Sequence, residues 1–97
     1  MPSYQKLEGK TIVSFPYKLD TVTCMDFEDD LFEHINEESG LLIFDLREVS
    51  YISSMFLRVC TKTLQKTSKE RFLIINAGEP VMKVFKLTGL LSLLNVS

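Results

Sequence analysis

Residues 41–46 read LLIFDL and residues 72–76 read FLIIN, two apolar runs in which polar and apolar positions do not alternate. Short runs of that kind, bounded by turn residues, are expected of strands covered on both faces of a sheet. Elsewhere the period is helical. Cys24, Phe27, Leu31 and Ile35 recur at spacings of three and four, which predicts a helix over residues 23–36 with one buried stripe. Thr23 and Asp26 have the spacing of a capping-box variant, which sets the expected start of that helix. Met55, Phe56, Val59, Cys60, Thr63 and Leu64 mark the buried face of a second helix over residues 54–67. Val81, Val84, Phe85 and Thr88 mark a third, with Gly78 as its N-cap, Pro80 in its first turn and Gly89 as its stop. At the start of the chain, residues 3–8 form an edge strand, Gly9-Lys10 a turn and residues 11–15 (TIVSF) a second strand. Pro16, with no N–H for a ladder, ends it. Residues 17–22 read as a connection, and Ser39-Gly40 lead into the LLIFDL strand. Residues 90–96 are apolar enough to pack back as a helical turn and a final strand.

The order β-β-α-β-α-β-α is that of an α/β domain, a mixed sheet whose central parallel strands are joined by right-handed crossovers. The 97 residues make one domain with little surplus stability, and no linker or repeat divides them. The longest purely apolar runs are four residues, 41–44 and 72–75, far short of a membrane span, and residues 1–10 lack the apolar core of a secretory signal. A cytoplasmic protein without direct membrane insertion is expected. The net charge of −2 argues against a nucleic-acid binder, which would carry a basic surface. Cys24 and Cys60 fall on separate helices without metal-ligand spacing and read as buried, reduced thiols.

Catalytic signatures are scarce. The four glycines all sit at element boundaries, so no phosphate-cradling loop exists. His34, the one histidine, lies on the acidic first helix and reads as solvated or ion-paired rather than as a general base. The acidic stretch from Asp26 to Asp30 lacks the alternating oxygen ligands and central glycine of a calcium loop. Asp45 supports two readings: a carboxylate capping a strand end, or a ligand group where open α/β sheets bind their ligands. Ser50, Ser53 and Ser54 precede the second helix. Ser53 is placed to cap it, and a phosphate added to this cluster would lie on the positive helix end. Along the far side of that helix Arg58, Lys62 and Lys66 step by four and form a basic ridge.

Three ordered blocks of the chain resemble the STAS domain, the fold of bacterial anti-sigma factor antagonists. Leu19-Asp20 is similar to the Leu-Asp before the family's first helix. LLIFDLREVSYISS is similar to its strand-loop-helix centre, usually V-x-L-D-L-x-x-V-x-x-I-D-S-S-G-L, and NAGEPVMKVFKLTGL to its later strand-helix segment. The resemblance implies a four- to five-stranded mixed sheet with helices packed mainly on one side. It also implies a non-enzymatic module without a cofactor. In the family an unphosphorylated antagonist binds an anti-sigma factor that is also a serine kinase, ATP belonging to that partner. Phosphorylation of the second serine of Asp-Ser-Ser-Gly breaks the complex.

Without gaps, the family's Asp falls on Ser53, its first serine on Ser54, its phosphorylated serine on Met55 and its glycine on Phe56. Sliding the serine pair by one residue would turn the helix face by about 100° and displace Leu57 and Val59 from their matching positions. The expected function is therefore partner binding without the usual phosphoserine switch, Ser54 or Ser53 being the possible substitute acceptors. The expected docking residues are Asp20, Ser53, Ser54, Met55, Phe56, Arg58 and Lys62, with Lys66 continuing the ridge; Phe56 reads equally as a core residue, and Met55 reads more as an exposed one. A STAS subunit that binds the cytoplasmic ATPase of a lipid-exporting ABC transporter is the alternative. An enzyme using Asp20, Asp45 and the serines is the third reading.

Overall fold

The computed structural model describes residues 1–37 and 40–97, so Ser39, expected to help close the first helix, lies outside the described residues. The elements are β1 (Ser3–Leu7), β2 (Lys10–Ser14), β3 (Lys18–Leu19), α1 (Thr21–Asn36), β4 (Leu41–Asp45), β5 (Tyr51–Ile52), α2 (Ser54–Lys66), β6 (Phe72–Ile75), α3 (Glu79–Leu87), a 3₁₀ turn at Leu90–Ser92 and β7 (Asn95–Val96). Five strands form one mixed sheet in the order β1-β2-β4-β6-β7. The β1–β2 hairpin is antiparallel, turning at Gly9 (φ 77°), and every later pairing is parallel.

In-register residues of neighbouring strands point to the same face. Val13, Phe44 and Ile74 share one row, and Leu42 and Phe72 the next. With Phe15 and Leu46 they belong to a single core cluster that also takes Phe27 and Leu31 from α1, Phe56 and Val59 from α2, and Val81 and Phe85 from α3. All three helices therefore cover the same face of the sheet. Its centre is aromatic. The Phe15 ring meets Phe44 at 4.9 Å and Phe56 at 5.2 Å, both edge to face, and Phe44 meets Phe72 at 4.7 Å in the same manner. Such geometry sets the positive ring edge against the negative ring face. At the sheet edge, Tyr4 stacks on His34 at 3.8 Å and donates from its hydroxyl to Asp30 Oδ2, tying β1 to α1. His34 Nδ1 lies 2.9 Å from the Asp30 carbonyl, to which it donates, and is thus structural.

Several expectations are corrected. The apolar runs of β4 and β6 are covered by helices on one face only: Ile43, Leu73 and Ile75 point away from the helices and lie outside the core cluster, Ile43 being buried at 8% exposure and the other two half-buried. Helix α1 begins at Thr21, because the extended Asp20 is its N-cap and accepts from the Thr23 N–H at 2.9 Å, displacing the Thr23–Asp26 cap. The connection over residues 17–22 contains β3, which pairs in parallel with β5. Two-residue strands carry no readable period, so only their partners reveal them. Thr88 is exposed, and its hydroxyl donates to the Val84 and Phe85 carbonyls at the C-cap of α3. Gly89 at φ 77° then ends the helix as expected.

Phe44→Ala should cost about 3–5 kcal/mol, because the ring is fully buried and packs against three other phenylalanines. Urea unfolding checks this; a loss below about 1 kcal/mol would show that the site collapses around the gap.

Candidate functional site

Strands β3 and β5 run side by side, and each hands the chain to a helix cap one residue later. β3 ends at Leu19 and Asp20 caps α1; β5 ends at Ile52 and Ser53 caps α2. The Leu19 side chain is wholly buried, while its carbonyl accepts from the Ser53 N–H at 2.9 Å and from the Cys24 thiol at 3.8 Å. One peptide group thus holds the two helix starts together. Both N-termini carry partial positive charge from free N–H groups. The Thr23 backbone N–H, then its hydroxyl and the charge of Lys18, hold the Asp20 carboxyl below its ordinary value.

At α2 the four predicted positions separate. Ser53 is 8% exposed, and its Oγ accepts from the Phe56 N–H at 3.4 Å. Ser54 is exposed at the first helical position, and Met55 is half-buried against the core. Phe56, expected as an apolar contact for a partner, is a correction. Its ring is fully buried between Phe15 and Phe44, out of reach of any docking surface. Arg58 is exposed farther along the helix, whereas the Lys62 and Lys66 ammoniums lie 5.9 and 5.4 Å from the Phe32 ring of α1. The basic ridge therefore partly serves to join the two helices. Burial pushes the Cys24 thiol up to about 11 and raises Cys60 well above the ordinary thiol value, so both remain protonated at neutral pH.

Four exposed apolar residues flank this end of the molecule and escaped the sequence reading: Tyr17 (69%), Val22 (68%), Met25 (64%) and Tyr51 (49%). Tyr17 bonds through its carbonyl to the Ser50 N–H, Tyr51 pairs with Lys18, and Val22 and Met25 lie in the first turns of α1. The signal was present in one place only. Val22 and Met25 are three apart and off the stripe of Cys24, Phe27, Leu31 and Ile35, an apolar pair on the solvent side. Asp45 stands elsewhere, at the end of β4. Its Oδ1 accepts from the Arg47 N–H at 3.0 Å and from Asn76 Nδ2 at 2.9 Å, so it fastens two turns together. The shallow cleft beside it is lined by Ser14, Phe15, Asp45, Arg47 and Glu48. Asp20, Asp45 and the serines are not brought together by any hydrogen bond among the described residues.

Paired helix starts behind a two-strand ribbon, on a one-sided mixed sheet, accompany a match of the STAS domain family to residues 1–97. The chain is a STAS domain. No curated protein matches it in a sequence comparison. Solved structures of the same fold include an anti-sigma factor antagonist from Mycobacterium paratuberculosis, at 24% identity and TM-score 0.88, covering 99% of this chain and 83% of that one. An anti-sigma-factor antagonist (STAS) domain protein from Planctomyces limnophilus shares 12% identity at TM-score 0.86, over 99% and 87% of the two chains. The Bacillus cell fate determinant SpoIIAA in its phosphorylated form shares 13% identity at TM-score 0.73, over 100% and 91%. Among the described residues of the STAS domain, no helix is long and apolar enough to cross a membrane.

Ser53→Ala should remove about 1 kcal/mol of stability by uncapping α2, read from chemical unfolding. The Asp20 cap adds a pH dependence of known sign. Its folded pKa lies below the ordinary 3.8, so its contribution is complete above that value and fades as pH falls through the lowered one. The stability gap between the wild-type domain and Asp20→Asn should accordingly narrow in acid; a gap that widens below pH 3.8 would contradict the cap.

Proposed function

We propose that this STAS domain is a non-catalytic docking module of the anti-sigma factor antagonist type. Its partner is an anti-sigma factor with serine-kinase character, and the outcome is control of sigma-dependent transcription in the cytoplasm. The docking surface is the end of the molecule where α1 and α2 begin: Asp20, Ser54, Met55 and Arg58, with Val22, Met25, Tyr17 and Tyr51 adding apolar area and Lys62 at the margin. The buried edge of Ser53 supports this surface from behind. Exposed aromatic and methionine side chains around a polar centre suit a protein contact, because they bury much area at low entropic cost. Among the described residues no charged side chain hydrogen-bonds to Ser53 or Ser54 to activate it as a nucleophile.

The single observation that carries the regulatory half of this reading is the burial of Phe56. The fixed ring sets the bearing of α2 and supports the ungapped family frame, in which Met55 takes the acceptor position, and a thioether cannot take a phosphate. Moving the serine pair into that position would rotate the helix by about 100° and drive Phe56 or Val59 out of the core. Ser53 is occupied in its cap, so Ser54 is the hydroxyl open to a kinase, on a different bearing from the family's acceptor.

Incubation with a cognate anti-sigma kinase and ATP should leave the intact mass unchanged under conditions that phosphorylate a switchable antagonist stoichiometrically. Phosphate on Ser54 would show that regulation has moved by one residue, and phosphate on Ser53 would contradict the capped geometry. Capture from the native cell should retain one specific partner on the wild-type domain. Met55→Asp and Val22→Glu should each weaken that capture at least roughly tenfold. An unchanged partner set would remove the docking surface from this end, and a transporter ATPase as the captured protein would replace the anti-sigma partner.

A further inference from the structure

The sheet face opposite the helices carries three cross-strand rows. The middle row is Gln5, Ile12, Ile43 and Leu73, ending at Asn95. The row at the start of the parallel strands holds Leu7, Lys10 and Leu41, and Arg71 extends it beyond β6 by alternation with Leu73. The row at their far end holds Ser3, Ser14, Asp45 and Ile75. None of Leu7, Ile12, Leu41, Ile43, Leu73 and Ile75 belongs to the core cluster or packs against it. The chain thus carries an apolar band with Lys10 and Arg71 at one end and Asp45 at the other; Ile43 at its centre is 8% exposed between Ile12 and Leu73, Leu7 is exposed, and the other apolar members are half-buried.

That charge pattern is complementary to itself in one orientation. Two such faces can stack about a two-fold axis lying between them, either along the strands or across them. With the axis along the strands, Lys10 of one copy meets Arg71 of the other and Asp45 meets Asp45, like charge on like. With the axis across the strands, the two ends are exchanged while the strand columns stay aligned. Asp45 of one copy then lies over Leu41 of the other, with Lys10 and Arg71 on either side of it, and Ile43 stacks on Ile43. The roughly 10 Å between packed sheets is within reach of lysine and arginine side chains. The hydrogen bonds of Asp45 among the described residues both fall on Oδ1, and Arg71 donates from Nε to the Gly40 carbonyl at 3.4 Å.

We infer that this face is a homodimer interface: a second copy of the chain covers it sheet to sheet, antiparallel, with Asp45 clamped between Lys10 and Arg71 of its partner. The continuous apolar runs of β4 and β6, unexplained by a one-sided sheet, are then buried on both faces in the assembled protein. The surface lies away from the α1 and α2 starts, so dimerisation leaves the proposed docking end open on both copies.

Sedimentation velocity on the wild-type domain should show mass rising with concentration from 11.1 kDa toward twice that value. Leu73→Asp should raise the dissociation constant at least roughly tenfold. It should also keep the melting temperature of the monomer within a few degrees, since Leu73 is half-buried and lies outside the core cluster. The orientation is tested by mixing. Asp45→Lys alone, and the double variant Lys10→Asp with Arg71→Asp, should each be monomeric, and an equimolar mixture should dimerise again because both clamps are then re-formed. If Asp45→Lys fails to fold, the fall of wild-type association with added salt tests the same clamp. A wild-type chain that stays monomeric up to about 1 mM overturns the inference. So does a dimer indifferent to Leu73→Asp, a mixture that stays monomeric, or a monomer that instead floats with phosphatidylglycerol vesicles.

Discussion

The ring of Phe56 fixes the working end of this molecule. It is the third residue of α2, fully buried, and it closes an aromatic cluster whose other members are Phe44 of β4, Phe72 of β6, Phe15 just after β2 and Phe27 of α1. A helix start anchored so early has no rotational freedom. Ser53 must turn inward to the cap, Ser54 must face water and Met55 must lie between them. Arg58 then emerges on the outer side, while Lys62 and Lys66 are set over Phe32. The identities exposed at the start of α2 are consequences of one packing choice made on the inside.

The second constraint is the Leu19 peptide. Because its carbonyl is spent on the Ser53 N–H, the starts of α1 and α2 move as one unit, and their caps form a shared polar ridge. The groups on that ridge are already committed: Asp20 to Thr23 and Ser53 to Phe56. What remains available is surface rather than chemistry, namely exposed apolar side chains, an open hydroxyl and one guanidinium. On the proposed reading, a site of that kind would recognise a partner by area and charge, with Ser54 as its one open hydroxyl.

Much of the fold was legible because its long elements carry strong periods. The α1 stripe, the α2 face, the glycine that ends α3 and the parallel centre of the sheet all follow from spacing alone. What was hidden has physical reasons. The strands β3 and β5 are two residues each, too short to show a period, yet they join the helix starts. The cap of α1 was placed at Thr23 because a Thr–Asp pair resembles a capping box, although Asp20 reaches the same N–H from outside. Phe56 could not be assigned to core or surface from a stripe containing both Met55 and Phe56. Only the opposing rings of Phe15 and Phe44 decide it. Residues 41–46 and 72–76 gave the clearest strands and the least accurate statement about their environment, since apolarity shows that a face is to be covered and not by what.

The sheet therefore has two kinds of surface, one closed by the chain's own helices and one left apolar with ends of opposite charge, while the helix starts form a third face with its own residues. The most direct test of the central claim is a map of backbone amide shifts on the isotopically labelled domain as the captured partner is added. The largest changes should fall on residues 17–25 and 51–58, with Ser54 and Val22 among them and residues 79–87 unmoved. Changes confined to α3, or to the outer rows of β2, β4 and β6, would contradict a docking surface built on the paired helix starts.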